Sequence, residues 1–297
     1  MRKQYSDSDM TELELQSLST NVGVEAIGVD LATINEKTHS AITRALDQHS
    51  SVLFRDQNLT PSDLVAFSRR FGDLDQAPVM ENGKTAVPGY PEIYIVSNIK
   101  GDDGKPIGSL GSGEAVWHTD MSYLENPPDI SMLYALEVPS DGGNTTLCSM
   151  AAAHDELPAY LRKRIAKLSI KHDGTYNSGG FLRKGIREDR DPMTCEGQSH
   201  PVICAHPRTG RPVLYLGRRR NAYIMGLERK ESEKLLNQVW DFATLPQYTY
   251  CHEWRVGDLL MWDNRSTMHR REPFPAADRR LMQRTQIRGR EQPKPMN

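Results

Sequence analysis

Cysteine is scarce in this chain: four residues in 297, at Cys148, Cys195, Cys204 and Cys251, without the paired spacing of metal knuckles. That scatter excludes a disulfide framework as the basis of the fold. No apolar run approaches the roughly 20 residues that a membrane-crossing helix needs, so no membrane association is expected. The opening Met1-Arg2-Lys3-Gln4-Tyr5-Ser6-Asp7 has none of the apolar character of a signal peptide. Neither sign of charge dominates either. Lys and Arg total 37 against 39 Asp and Glu, a net charge of −2, which argues against nucleic acid as the main partner. Internal repeats and low-complexity linkers are also missing. The expectation is a single cytoplasmic domain over residues 1–297, long enough to bury a sizeable core.

What is present is a succession of short strands with helices between them. Thr60-Pro61-Ser62-Asp63 reads as a helix start, with Thr60 as cap and Pro61 in the first turn. Leu64, Phe67, Ser68 and Phe71 follow at helical spacing. Ile130 to Leu136 predicts a buried strand, and Ala151 to Leu168 a helix interrupted at Pro158. Val202–Ala205 and Val213–Leu216 bracket the turn Pro207-Arg208-Thr209-Gly210 as a hairpin. Glu228 to Ala243 has an amphipathic helical pattern with Leu235, Leu236, Val239 and Trp240 facing inward. Trp254 and Val256, then Leu259 to Trp262, flank the turn Gly257-Asp258. Gly174 to Ser199 is glycine-rich, charged and poor in apolar residues, and reads as a loop. This alternation fits a mostly β (α+β) protein with a jelly-roll core, the double-stranded β-helix.

The segment Trp117-His118-Thr119-Asp120 carries the first chemical signal. Residues two apart in an extended segment point the same way, so His118 and Asp120 can converge. Far downstream, Asp263-Asn264-Arg265-Ser266-Thr267-Met268-His269 offers a second imidazole just beyond a strand. Two imidazoles and one carboxylate on one face of a metal leave three positions open, the arrangement of non-haem Fe(II) oxygenases. After His269, the alternation from Leu281 to Ile287 puts Arg280, Met282 and Arg284 on one face. Two guanidiniums there are costly unless anions meet them. A 2-oxoglutarate cosubstrate would supply one anion, and the prime substrate the other. Trp117 and Trp262 read as packing beside the ligands. His154, His172, His200, His206 and His252 lack such company and read as structural. The run Gly217-Arg218-Arg219-Arg220-Asn221 fits a pocket wall, an oligomer contact or a solvated face.

From about Gly23 to Gly289 the chain resembles the 2-oxoglutarate-dependent dioxygenases of the taurine dioxygenase and chlorophenoxyacetate dioxygenase family. The resemblance is carried by Val52-Leu53-Phe54-Arg55-Asp56-Gln57, Arg70-Phe71-Gly72, Trp117-His118-Thr119-Asp120 and Pro139 through Gly142-Gly143-Asn144-Thr145. Further matches are Ala205-His206-Pro207, Gly257-Asp258 and Trp262-Asp263-Asn264-Arg265. It implies His118, Asp120 and His269 as iron ligands and as the catalytic centre. Arg280, eleven positions after His269, would pair with the distal carboxylate of 2-oxoglutarate, and Thr145 would donate to the same group. Arg284 would meet an anionic group of the substrate. Residues 174–199 would form a lid that excludes water.

The implied cofactors are Fe(II), with 2-oxoglutarate and O2 as cosubstrates. The implied reaction yields succinate and CO2 and hydroxylates a C–H bond of a small carboxylate or sulfonate. Hydroxylation beside an ether oxygen, amine or sulfonate would also cleave that bond. Asp120 favours hydroxylation over halogenation, since halogenating relatives lack the carboxylate. Pocket residues of the taurine enzymes align near Ala77, Met80 and Glu114, none of which keeps their type, so taurine itself is not expected. Glu114 is instead a candidate to greet an amine. A dimer or tetramer is implied as well. The competing classes are a zinc-type metallohydrolase, in which Arg280 and Thr145 would have no purpose, and a non-catalytic jelly-roll binding protein, which would tolerate loss of Asp120. A nucleic-acid demethylase shares the iron chemistry but not the charge.

Overall fold

In a computed structural model, which describes residues 13–77, 86–217 and 220–296, two sheets carry the fold. The larger has eight strands, in the order Leu15–Ser17, Val24–Ala26, Ser51–Phe54, Leu259–Asp263, Ile130–Glu137, Leu281–Ile287, Tyr94–Ser97 and Ser109–Leu110. The smaller has four, in the order Thr249–His252, Thr145–Ser149, Thr267–Arg271 and Ala115–His118. This is the jelly-roll expected from the sequence, mostly β with a few flanking helices.

The two-residue period of the strands divides each into two faces. In Leu259–Asp263, Leu259 and Met261 join one core cluster, while Leu260 and Trp262 join another. Ile130–Glu137 does the same, with Met132 and Tyr134 on one side and Leu133 and Ala135 on the other. The first cluster is covered by the helices Glu36–His49 and Pro61–Arg69, which contribute Ile42, Leu46, Leu64 and Phe67. The second lies between the sheets, since Leu133, Leu260, Trp262 and Met282 of the larger meet Leu147 of the smaller. A third cluster backs the smaller sheet: Cys148 and Met268 pack with residues of the helices Met150–Asp155, Ala159–Ile165 and Arg229–Ala243. Because Cys148 and Met268 point outward, Thr145, Leu147, His269 and Arg271 point into the space between the sheets.

Local signals in the sequence account for several element ends. Thr60 and Asp63 form a reciprocal capping box at the helix Pro61–Arg69. Pro158 separates the helices Met150–Asp155 and Ala159–Ile165 where the sequence placed the break. The hairpin pairs Ile203–Ala205 with Pro212–Leu214. Trp254 and Val256 lie outside any strand, and Val256 is exposed. His269 lies in the strand Thr267–Arg271, just beyond the strand Leu259–Asp263, as expected. Met80, Arg218 and Arg219 lie outside the described residues.

Candidate active site

Strand register assembles the site. His269 pairs directly with His118 across the smaller sheet and with Leu147 on its other side. Arg271, two residues on, is opposite Thr145, which faces His252 on its other flank. The strand Ala115–His118 ends at the first histidine, so Asp120 occupies the turn that follows and not an extended segment. Convergence of His118 and Asp120 is thus made by the turn, which Asn264 fixes. The Asn264 side chain accepts from Asp120 N at 2.9 Å and donates to Asp120 O and Pro128 O, each at 2.9 Å.

The donor atoms come together closely. His118 Nε2 is 3.6 Å and His269 Nε2 3.9 Å from Asp120 Oδ1. One ligand atom from each residue lies within 4.8 Å of the other two, and all three residues are buried. His118 Nδ1 is 2.7 Å from Val116 O, a contact that needs the proton on Nδ1 and leaves the Nε2 lone pair for a metal. The second carboxylate oxygen of Asp120 is committed elsewhere: Ser131 Oγ donates to Oδ2 at 2.8 Å, and Gln286 Nε2 donates to Ser131 Oγ at 3.1 Å. Burial disfavours the ionised carboxyl of Asp120, but Arg284, His269 and His118 outweigh it and hold its pKa well below the usual range. A charged carboxylate with two imidazoles is a donor set that fits a ferrous ion.

Beside this centre lies a pocket rich in buried cations. Arg280 is 1 % exposed, and its Nε and both Nη atoms have no hydrogen-bond partner among the described residues. Its backbone is pinned, with Arg280 N donating to Asn98 Oδ1 at 3.0 Å and Arg280 O accepting from Ser97 Oγ at 2.7 Å. Burial, reinforced by nearby Arg271, pushes the Arg280 pKa down to about 9. Arg271 is buried too; it donates to Leu110 O at 3.0 Å and to Gly113 O, and burial lowers its pKa to about 10. An unpaired buried guanidinium costs several kcal/mol (order of magnitude), and a carboxylate entering beside Thr145 would remove that cost. The pocket therefore fits the distal carboxylate of 2-oxoglutarate.

A larger cavity of about 900 Å³ opens over His118, Asp120 and Arg284. Arg284 Nη1 is 3.3 Å from Asp120 Oδ1, and its guanidinium carbon lies 4.8 Å from the centre of the Tyr94 ring. Gly174, Asn177, Ser178, Leu182, Arg183 and Gly197 form part of the cavity wall, so the glycine-rich segment shares this cavity with His118 and Asp120. Within that segment Arg183 N donates to Thr175 O at 2.9 Å, and its guanidinium carbon sits 4.0 Å from the centre of the Tyr123 ring. Ala77 also lines the cavity. Glu114 does not: it is exposed and outside the lining residues. Trp262 packs against His269, with ring centres 4.7 Å apart, as a packing residue should. Arg220 is exposed, with its guanidinium carbon 4.2 Å from the centre of the Tyr176 ring.

Sequence reasoning missed Ser131, Gln286 and Arg271. Ser131 sits in an apolar run that reads only as a strand, and nothing local shows that it faces Asp120. Arg271 did carry a signal, two positions after His269 on the same strand face.

A jelly-roll whose interior presents two imidazoles, one carboxylate and an unpaired guanidinium defines a non-haem iron oxygenase with a keto-acid cosubstrate. The chain belongs to the taurine catabolism dioxygenase TauD, TfdA family, whose model matches residues 14–286. It is 30% identical over 294 residues to the (S)-phenoxypropionate/alpha-ketoglutarate-dioxygenase of Sphingobium herbicidovorans, covering 93% of this chain and 95% of the relative. It is 32% identical over 256 residues to the alpha-ketoglutarate-dependent 2,4-dichlorophenoxyacetate dioxygenase of a Burkholderia species, covering 84% and 85%. The crystal structure of AAD-2 in complex with Mn(II) and N-oxalylglycine superposes with a TM-score of 0.78 at 29% identity, covering 94% of this chain and 100% of that one. The protein is thus an oxidoreductase of the class that uses Fe(II), 2-oxoglutarate and O2.

Proposed function

We propose that this dioxygenase hydroxylates a C–H bond of a small anionic organic acid, with His118, Asp120 and His269 holding Fe(II). The observation that carries the reading is the convergence of those three side chains beside the partnerless guanidinium of Arg280. With 2-oxoglutarate and O2, the iron supplies the oxidant for the C–H bond, with succinate and CO2 as by-products. The protein's own work is positioning. Ser131 keeps Oδ2 of Asp120 occupied, so that the carboxylate offers Oδ1 alone. Arg280 and Thr145 receive the distal carboxylate of 2-oxoglutarate and so fix where its keto end falls. Arg284 receives the anionic group of the substrate and holds the target carbon over the iron. Relatives named for phenoxypropionate, 2,4-dichlorophenoxyacetate and alkyl sulfate support an acidic substrate.

Residues 174–199 are proposed to act as a lid, which their place in the cavity wall supports. A cytoplasmic location belongs to the same proposal: all four cysteines are free, and no described helix is long and apolar enough to cross a membrane. A dimer or tetramer is also proposed, and its mass in solution is measurable by light scattering. The function is tested by following succinate release across carboxylates, sulfonates and sulfate esters. Turnover coupled to anionic compounds and lost in Arg284→Ala is expected; coupling to neutral compounds alone would remove the assignment.

A further inference from the structure

We infer that Trp254 is a positioning residue, whose indole N–H turns the Thr145 hydroxyl into a dedicated donor for the distal carboxylate of 2-oxoglutarate. The inference rests on the reading of Arg280 and Thr145 as the keto-acid anchor. Trp254 Nε1 donates to Thr145 Oγ1 at 3.0 Å, and both side chains are buried. A threonine hydroxyl has one proton and two acceptor sites, whereas an indole N–H can only donate. The contact therefore occupies a lone pair of Oγ1 and aims the hydroxyl proton elsewhere. Arg280 and Arg271, which share this pocket with Thr145, offer donors only. The pocket wall thus presents donors to an incoming ligand, and an anion with several lone pairs is its chemical complement.

The indole is itself held in place. Trp254 follows the strand Thr249–His252, whose His252 pairs with Thr145 in the sheet. The His252 ring meets the Trp254 ring edge-on, with centres 4.5 Å apart at 83°. His252 Nε2 lies 3.0 Å from Asp258 Oδ2, a buried carboxylate that also accepts from Arg55 at 2.7 Å. Fixing the donor in advance lowers the ordering cost of binding. It also favours keto acids with a distal carboxylate over those without one.

The test uses the full chain loaded with Mn(II), and calorimetric titration with two probes. N-oxalylglycine has a distal carboxylate, whereas oxalate chelates the metal and has none. Trp254→Phe is expected to weaken N-oxalylglycine binding about fivefold, the scale of one neutral hydrogen bond, and to leave oxalate binding unchanged. The same loss is expected in a Thr145→Ser background and none in Thr145→Val. Should Trp254→Phe fold poorly, benzothienylalanine placed at position 254 deletes the N–H and keeps the shape. Equal weakening of both probes, or an undiminished loss in Thr145→Val, would overturn the inference. Arg280→Met separates the two layers. If Arg280→Met binds N-oxalylglycine like the unaltered protein, the keto-acid pocket itself is misassigned and the inference falls with it. If Arg280→Met loses binding while Trp254→Phe does not, only the role of Trp254 is overturned.

Discussion

Replacing Arg280 by Met should make the ligand-free protein more stable while it destroys the keto-acid site. The guanidinium is buried, its three nitrogens have no hydrogen-bond partner among the described residues, and burial drives its pKa well below the ordinary arginine value, down to about 9. Its charge is therefore held against solvation. Even after discounting for relaxation, relief of about 2 kcal/mol is a reasonable scale for removing an unpaired buried charge. Methionine fills much of the same volume and has no polar group to satisfy. For a chain of this size that corresponds to a rise in Tm of about 4 °C. The sign with pH follows from the lowered folded-state value. The penalty is fully present below about pH 9, where the folded state must carry the charge, and it declines as pH rises through the folded pKa. The Tm advantage of Arg280→Met should thus be largest near neutrality and shrink above pH 9. Binding responds in the opposite direction: loss of a charge-assisted partner costs about 2 to 3 kcal/mol, or roughly 30- to 150-fold in the Kd for 2-oxoglutarate. Scanning calorimetry with and without 2-oxoglutarate reads both effects. A destabilised ligand-free variant, or one that 2-oxoglutarate stabilises as well as the unaltered protein, would refute the reasoning.

Ser131→Ala removes the hydroxyl that occupies Oδ2 of Asp120; metal titration should show a 10- to 100-fold loss of Mn(II) affinity, the scale for groups that orient metal ligands. Arg284→Ala should raise KM for an acidic substrate at least tenfold and leave the Kd of 2-oxoglutarate within about twofold, as expected for loss of one charged contact on the substrate side. Steady-state kinetics and calorimetry separate the two. Trypsin should cut the ligand-free chain after Arg183 or Lys184, and metal, 2-oxoglutarate and substrate together should slow that cleavage if residues 174–199 close over the site. Mass spectrometry of the fragments identifies the bond.

Much of the site could be read from the sequence because its parts obey local periods. Arg280 and the alternating strand Leu281–Ile287 signal their common face through the two-residue repeat, and the structure puts Arg280 and Arg284 beside the same pocket. Pro158 and the Thr60–Asp63 box mark helix ends by backbone chemistry that needs no tertiary partner. What escaped depends on pairing across the fold. Ser131 and Gln286 become relevant only because the strands Ile130–Glu137 and Leu281–Ile287 pair in one register. Trp254 reaches Thr145 across 109 residues of chain, which no window along the sequence detects. The misreading of Asp120 as part of an extended segment has the same origin. Asn264, 144 residues away, holds the turn that presents it. Glu114 precedes a strand whose alternation says nothing about where the preceding loop points, and it points outward.

The most direct test of the central claim is an anaerobic titration of the iron-loaded protein with 2-oxoglutarate, followed in the visible range. A weak charge-transfer band that saturates at one equivalent, and is absent from His269→Ala, is the predicted result. A band that survives in His269→Ala, or no band at saturating iron and keto acid, would contradict the account.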